Sequence, residues 1–253
     1  MLIPGTPLGI VFLISLAVIF GSIEFGYRVG RRLHSRLDGK EVIGKTMLDS
    51  ACLGLLSFTL AIVFGVAQGH HAKQIQLVTD EANAVSIASS RADLLSEPGR
   101  TEVLDLLREY ANLRGQPQPL TSTLKTGKAE SESQEIHALL WRRADEIISN
   151  QPTRVAAQVV SSMTELIRIR NNRILMADYR TLPAFVWIVL YGLAVVAMSV
   201  GGFYSGLSGS HRFFPVTITL SIAYAAVFTM IAALDGSSTY VQGFTEQVFG
   251  ALL

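Results

Sequence analysis

Charge is scarce in this chain and cysteine nearly absent. Of 253 residues only 16 % are charged, against about a quarter in soluble globular domains. Hydrophobic residues make up 49 % and the mean hydropathy is positive, a composition tilted towards lipid. The formal net charge of +1 removes any bulk electrostatic argument for nucleic acid as a partner. The single cysteine, Cys52, excludes an intrachain disulfide, and its place inside an apolar run suits a thiol that packs as a small hydrophobe. Neither a nucleophile elbow, a phosphate-binding glycine loop, a metal-ligand spacing nor a Cys/His constellation occurs. An enzyme, a metal site and a cofactor are therefore not expected. There is no internal repeat and no strand-rich stretch, so the expected class is all-α.

What the chain does have is long uncharged runs. No charged residue occurs from Met1 to Ile23, from Ser50 to Gly69, from Thr181 to Ser210 or from Phe213 to Leu234. A helix needs about 20 mostly apolar residues to cross a hydrocarbon core of about 30 Å, and all four runs reach that length. Buried helices of soluble proteins are usually shorter and amphipathic. The expectation is a polytopic protein with four transmembrane helices, at about 8–26, 48–69, 184–204 and 213–234. No basic residue precedes the first run, and Arg28, Arg31 and Arg32 follow it in place of a small-residue cleavage site, which argues against a cleaved signal peptide.

Two transmembrane hairpins, 1–69 and 183–253 with a short tail, then flank a helical extramembrane domain at 70–182. Apolar or small residues at Ile75, Val78, Ala82, Val85, Ala88, Ala92 and Leu95 alternate three and four apart, the seam of a helix packed lengthwise on others. They extend the second segment into one helix of nearly 50 residues, about 70 Å at 1.5 Å per residue. Three more helices complete a four-helix domain. One starts near Thr101, with Val103, Leu104, Leu107, Tyr110 and Ala111 on its inner side, and ends at Gly115. The polar stretch to Lys128 reads as a loop. The capping-box spacing of Ser131 and Gln134 opens the next, with Ile136, Leu139, Leu140, Ile147 and Ile148. Pro152 starts the last, with Val159, Met163, Leu166, Ile167 and Ile174 inward, and Pro183 marks a restart into the third segment.

Basic residues near crossings favour the cytoplasmic side. The Arg28–Lys45 connector carries six, and Arg212 adds a seventh, against Lys73, Arg168, Arg170, Arg173 and Arg180 at the edges of the central domain. The excess places the central domain and both termini outside the cytoplasm, in a multi-pass protein of the plasma (inner) membrane.

Several local patterns are candidates for function. Small residues recur four apart at Gly26/Gly30, Gly65/Gly69 and Gly202/Gly206, a spacing that lets membrane helices approach closely; packing within one protomer is the first reading and an oligomer interface the second. Gly54, Phe58 and Ile62 share a face of the second segment, and an apolar ring at such positions can gate a pore by dewetting. His70 and His71 mark the membrane exit; as neighbours they point about 100° apart and cannot readily share a metal ion. Glu24, Asp49 and Asp235 lie at segment ends, where ionisable groups at membrane depth are candidates for an interface or a gate. On the long helix, an ion pair of Glu81 or of Arg91 inside the bundle is the plain reading. His137 is isolated in sequence.

The runs Leu56-Ser57-Phe58-Thr59-Leu60-Ala61-Ile62 and Val78 to Arg91 (VTDEANAVSIASSR), with Leu182-Pro183-Ala184-Phe185-Val186-Trp187 and Ala233-Leu234-Asp235, give the chain a resemblance to an uncharacterised bacterial family of bestrophin-like integral membrane proteins, and more distantly to the bestrophin ion channels. The resemblance implies a homo-oligomer in the lipid bilayer whose second transmembrane helix lines an apolar neck, with Phe58 and Ile62 in that stretch. Gly54 departs from the bulky apolar residue of the family, which would widen a neck. The acidic calcium-binding cluster of animal bestrophins is missing, so calcium gating is not implied, and His70 and His71 replace an aromatic-rich run. Bestrophins keep their large domain in the cytoplasm, opposite to the charge count above. Two functions stay open: an ion channel with a pore along the second helix, and a non-conducting sensor or scaffold whose helical domain binds a ligand or an unidentified protein partner.

Overall fold

The computed structural model describes residues 7–34, 45–116, 123–150, 153–177, 182–208, 214–235 and 238–251. Among these there is no strand; the elements are α1 (Leu8–His34), α2 (Lys45–Ala92), α3 (Gly99–Gly115), α4 (Thr123–Asn150), α5 (Arg154–Ala177), α6 (Ala184–Leu207), α7 (Phe214–Asp235) and α8 (Ser238–Gly250). Four of them, α1, α2, α6 and α7, are long and apolar enough to cross a membrane. α2 is a single helix of 48 residues, as its seam requires. The chain divides into two units: residues 1–70 with 181–236, and residues 71–180 with 237–253.

The first unit is built on α1, which packs against α6 and α7. A Cβ added to Gly26 would fall on the carbonyl of Ser199, and one on Gly30 would fall on that of Phe203. Reciprocally, Cβ atoms on Gly202 and Gly206 would strike the carbonyls of Ile23 and Tyr27. Both backbones are thus in direct contact along a seam that only glycine permits. Residue numbers rise together along the seam, so α1 and α6 run parallel, as a first and a third crossing must. Further along the same pair, the hydroxyls of Ser15 and Tyr191 share a hydrogen bond of 2.7 Å. Tyr191 also stacks on Phe228 of α7, ring centres 4.7 Å apart. The outward side chains of α1 and α6, among them Leu13 and Ile188, are apolar and uncovered, which suits contact with lipid. α1 extends beyond its apolar run to His34, so Arg31, Arg32 and His34 lie in its last turn, where cations oppose the negative end of the helix dipole.

The second unit gathers the remainder of α2 with α3, α4, α5 and α8. The seam residues Val78, Ala82, Val85, Ala88 and Ala92 are all buried, with Val103, Leu107, Tyr110 and Ala111 of α3 and Val159, Met163 and Leu166 of α5. An Arg100–Asp93 ion pair of 2.9 Å links the segments either side of the α2–α3 turn. Three sequence expectations change here. α4 begins at Thr123, so the stretch to Lys128 is helical and Ser131 sits inside a helix instead of capping one; Leu, Lys, Ala and Glu are all good helix formers, and polarity alone does not make a loop. The first turn of α5 is capped one residue past Pro152, by Thr153, whose Oγ1 accepts the Ala156 N–H at 3.1 Å. The closing stretch, read as a tail, is helix α8: it packs on α3, and Phe249 is fully buried beside Gly115.

Candidate membrane-embedded path along the second helix

α2 contributes Leu56, Leu60, Val63 and Ala67 to the core of the first unit. Those four positions follow a three-and-four spacing, so the opposite side of the helix is left over. That side carries Gly54, Phe58 and Ile62 together: Phe58 is 65 % and Ile62 51 % exposed, and an added Cβ on Gly54, Gly65 or Gly69 would meet nothing within 4 Å. The three glycine pairs therefore separate into two kinds. Gly26/Gly30 and Gly202/Gly206 bury one another within the chain, whereas Gly65/Gly69 lie open. In the part of α2 that belongs to the second unit, Ile87 is likewise uncovered, and so is Leu94 just past the end of the helix.

The ionisable residues at the segment ends have distinct surroundings. Asp235, at the end of α7, accepts the Leu182 N–H at 2.6 Å through one oxygen and the Trp187 indole N–H at 3.3 Å through the other. It thereby satisfies backbone left free before the first turn of α6, where Pro183 prevents ordinary helix continuation. His70 lies near Asp235, and its Nδ1 is buried without a hydrogen-bond partner among the described residues. His71 is half-buried and belongs to the second unit. Asp49 packs one carboxylate oxygen against Gly201 of α6, and that oxygen has no hydrogen-bond partner among the described residues. Glu24, its side chain 21 % exposed, accepts at 2.6 Å from the exposed Arg28 one helical turn away. The structure thus brings His70 and Asp235 together and leaves Glu24 and Asp49 in settings of their own.

Sequence reasoning placed an ion pair inside the bundle but missed the polar partners that surround Glu81 in the core of the second unit. Glu81 is completely buried, accepts a short hydrogen bond from the Tyr110 hydroxyl, and pairs with Arg114 of α3 at 3.1 Å. Of the two residues named for an ion pair inside the bundle, Glu81 forms one, with Arg114; Arg91 donates to the Gln158 carbonyl at 3.1 Å. His137, isolated in sequence, stacks on Tyr110 with ring centres 4.9 Å apart. The available signal was that Tyr110 and Arg114 stand four apart, on a common face of α3.

Four long apolar helices, a glycine-sealed seam and a polar helical unit define an all-α, multi-pass integral membrane protein. A family model for the Bestrophin-like domain matches residues 13–236. The chain belongs to the Bestrophin-like family. Comparisons with curated proteins and with solved structures found no match. The stretches that carried the resemblance have physical roles here: the motif around Leu182–Trp187 and the one ending in Asp235 are joined by the two hydrogen bonds just described, and Val78–Arg91 supplies the α2 seam of the second unit.

Proposed function

We propose that the protein assembles as a homo-oligomer in a bacterial plasma membrane and conducts ions along a path lined by α2, with Gly54, Phe58 and Ile62 on the lining face. The observation that carries this reading is the uncovered side of α2. In the apolar span lipid could cover it, but Ile87 and Leu94 lie beyond the uncharged run, in the unit of polar helices. Copies of the same helix gathered round a common axis would withdraw both stretches from the surroundings and turn them towards the path, and the glycines at 54, 65 and 69 leave that side open. Phe58 and Ile62 would form the apolar constriction, of the kind that gates by dewetting, and Gly54 a wider place beside it. Purified protein in liposomes should then pass ions, and Ile62→Ser should raise the flux several-fold by wetting the constriction. An intact oligomer that passes no ion in any salt would overturn the reading.

The connector's basic residues favour the second unit and both termini outside the cytoplasm; reporter fusions in the 117–122 and 35–44 connections test this. A rival role, a non-conducting sensor or scaffold, draws support from a groove of about 550 Å³ between α3 and α4, bordered by Asp105, Arg108, Glu109, Glu132 and Glu135. Stoichiometric capture of a partner that Glu109→Lys abolishes would favour it over conduction.

A further inference from the structure

The core of the second unit contains a buried imidazole. His137 on α4 is 6 % exposed, and neither ring nitrogen has a hydrogen-bond partner among the described residues. One face of the ring lies on Tyr110 of α3. Among the described residues, the charged groups that bear on it are Glu81 of α2, Arg114 of α3 and Arg170 of α5. All three are close to or fully withdrawn from solvent: Glu81 is wholly buried, the Arg114 side chain is 11 % exposed, and Arg170 is buried. The single carboxylate is already engaged by Tyr110 and Arg114.

A proton on this ring would therefore place a third cation among two guanidinium groups and one occupied carboxylate, in a buried core where such charge is costly. Nothing on α2, α3 or α5 offers the imidazolium a second acceptor side chain among the groups that act on it. Among the described side chains of α4, Ile136, His137 and Leu140 are the buried ones, with Ile147 partly buried against the same core, so His137 is one of the anchors that hold α4. Trp141, the residue after Leu140, is half exposed and does not add to the anchor.

We propose that His137 is an acid-sensitive latch: protonation of its ring releases α4 from α3 and α5 and loosens the second unit. The inference goes beyond conduction and stands whether or not α2 lines a path. The energetic sign agrees with the geometry. Burial, helped by Arg170, pushes the ring's titration down from 6.5 to about 4. In the released helix the ring takes up a proton near 6.5, and in the packed one it resists until about 4. Packing of α4 is thus intact above pH 6.5 and weakens as the pH falls towards 4.

Hydrogen exchange of the full-length protein in detergent, corrected for intrinsic rates, tests this between pH 7.5 and 5, above the range in which most carboxylates protonate. Protection of the α4 amides should fall about 10-fold at pH 5.5 and about 30-fold at pH 5 by proton linkage. In His137→Phe it should stay flat over the same range. Equal loss of protection in wild type and His137→Phe, or no loss in wild type, overturns the proposal. Should the variant fail to fold, magnetic-resonance titration of the His137 ring in the unmodified protein decides: titration well below the ordinary value supports the latch, and titration near 6.5 overturns it.

Discussion

Glycine substitutions separate the two kinds of close approach found at single residues. At Gly202 or Gly206 a methyl group would collide with the α1 backbone, and overpacking of this sort costs about 1–3 kcal/mol. At Gly65 the space is open, and Ala in a helix interior is better than Gly by about 1 kcal/mol. Gly206→Ala should therefore lower the thermal midpoint of the detergent-solubilised protein, while Gly65→Ala leaves it unchanged or raises it. Equal effects would refute the seam. At Glu81 the expected outcome is non-additive. Removing one partner of a buried pair costs about 3–5 kcal/mol, so Glu81→Met and Arg114→Met should each destabilise strongly, and the double variant should recover much of the loss. Asp235→Ala should destabilise by about 1–3 kcal/mol, the usual cost of stranding a buried donor, because the Leu182 N–H and the Trp187 indole lose their acceptor together.

Helix α8 is the element whose role is easiest to test. Among its described residues Phe249 alone has a fully buried side chain; it fills space beside α3, and Phe→Ala in a core costs about 3–5 kcal/mol. Phe249→Ala should expose the second unit to limited proteolysis, with cuts in α3 and α4 before any in α6 or α7. Simultaneous cutting of all helices would show that α8 does not act locally. The sequence contained its signal: Val241, Phe244, Val248 and Phe249 recur at helical spacing. A short polar-flanked stretch after a membrane segment carries no span-length cue, however, and Gly243 and Gly250 dilute the pattern. The spans were legible for the opposite reason, since 20 residues without a charge have few other uses. The α2 seam was legible because its apolar period persists over five turns. The start of α4 was not, because Thr, Lys and Gly near its beginning resemble a loop and mask the helix-forming Leu, Lys, Ala and Glu among them.

For the whole molecule, class and family follow from features spread over most of the chain, whereas the site rests on what the fold leaves uncovered. Periodicity placed Gly54, Phe58 and Ile62 on one face of α2; only the packing of Leu56, Leu60, Val63 and Ala67 shows that this face is the unoccupied one. The meeting of Asp235 with Leu182, Trp187 and His70 was out of reach, because the partners lie 48 or more residues apart along the chain. An uncovered apolar face can look onto lipid or onto water, and the reactivity of introduced thiols distinguishes them, since only a hydrated thiol ionises readily. With the native cysteine removed by Cys52→Ser, a charged, membrane-impermeant thiol reagent can be applied to Gly54→Cys, Phe58→Cys and Ile62→Cys, with Leu13→Cys and Ile188→Cys as outward-facing controls. A water-filled path along α2 requires the three α2 positions to react at least about ten times faster than the controls; five equally inert positions would contradict it.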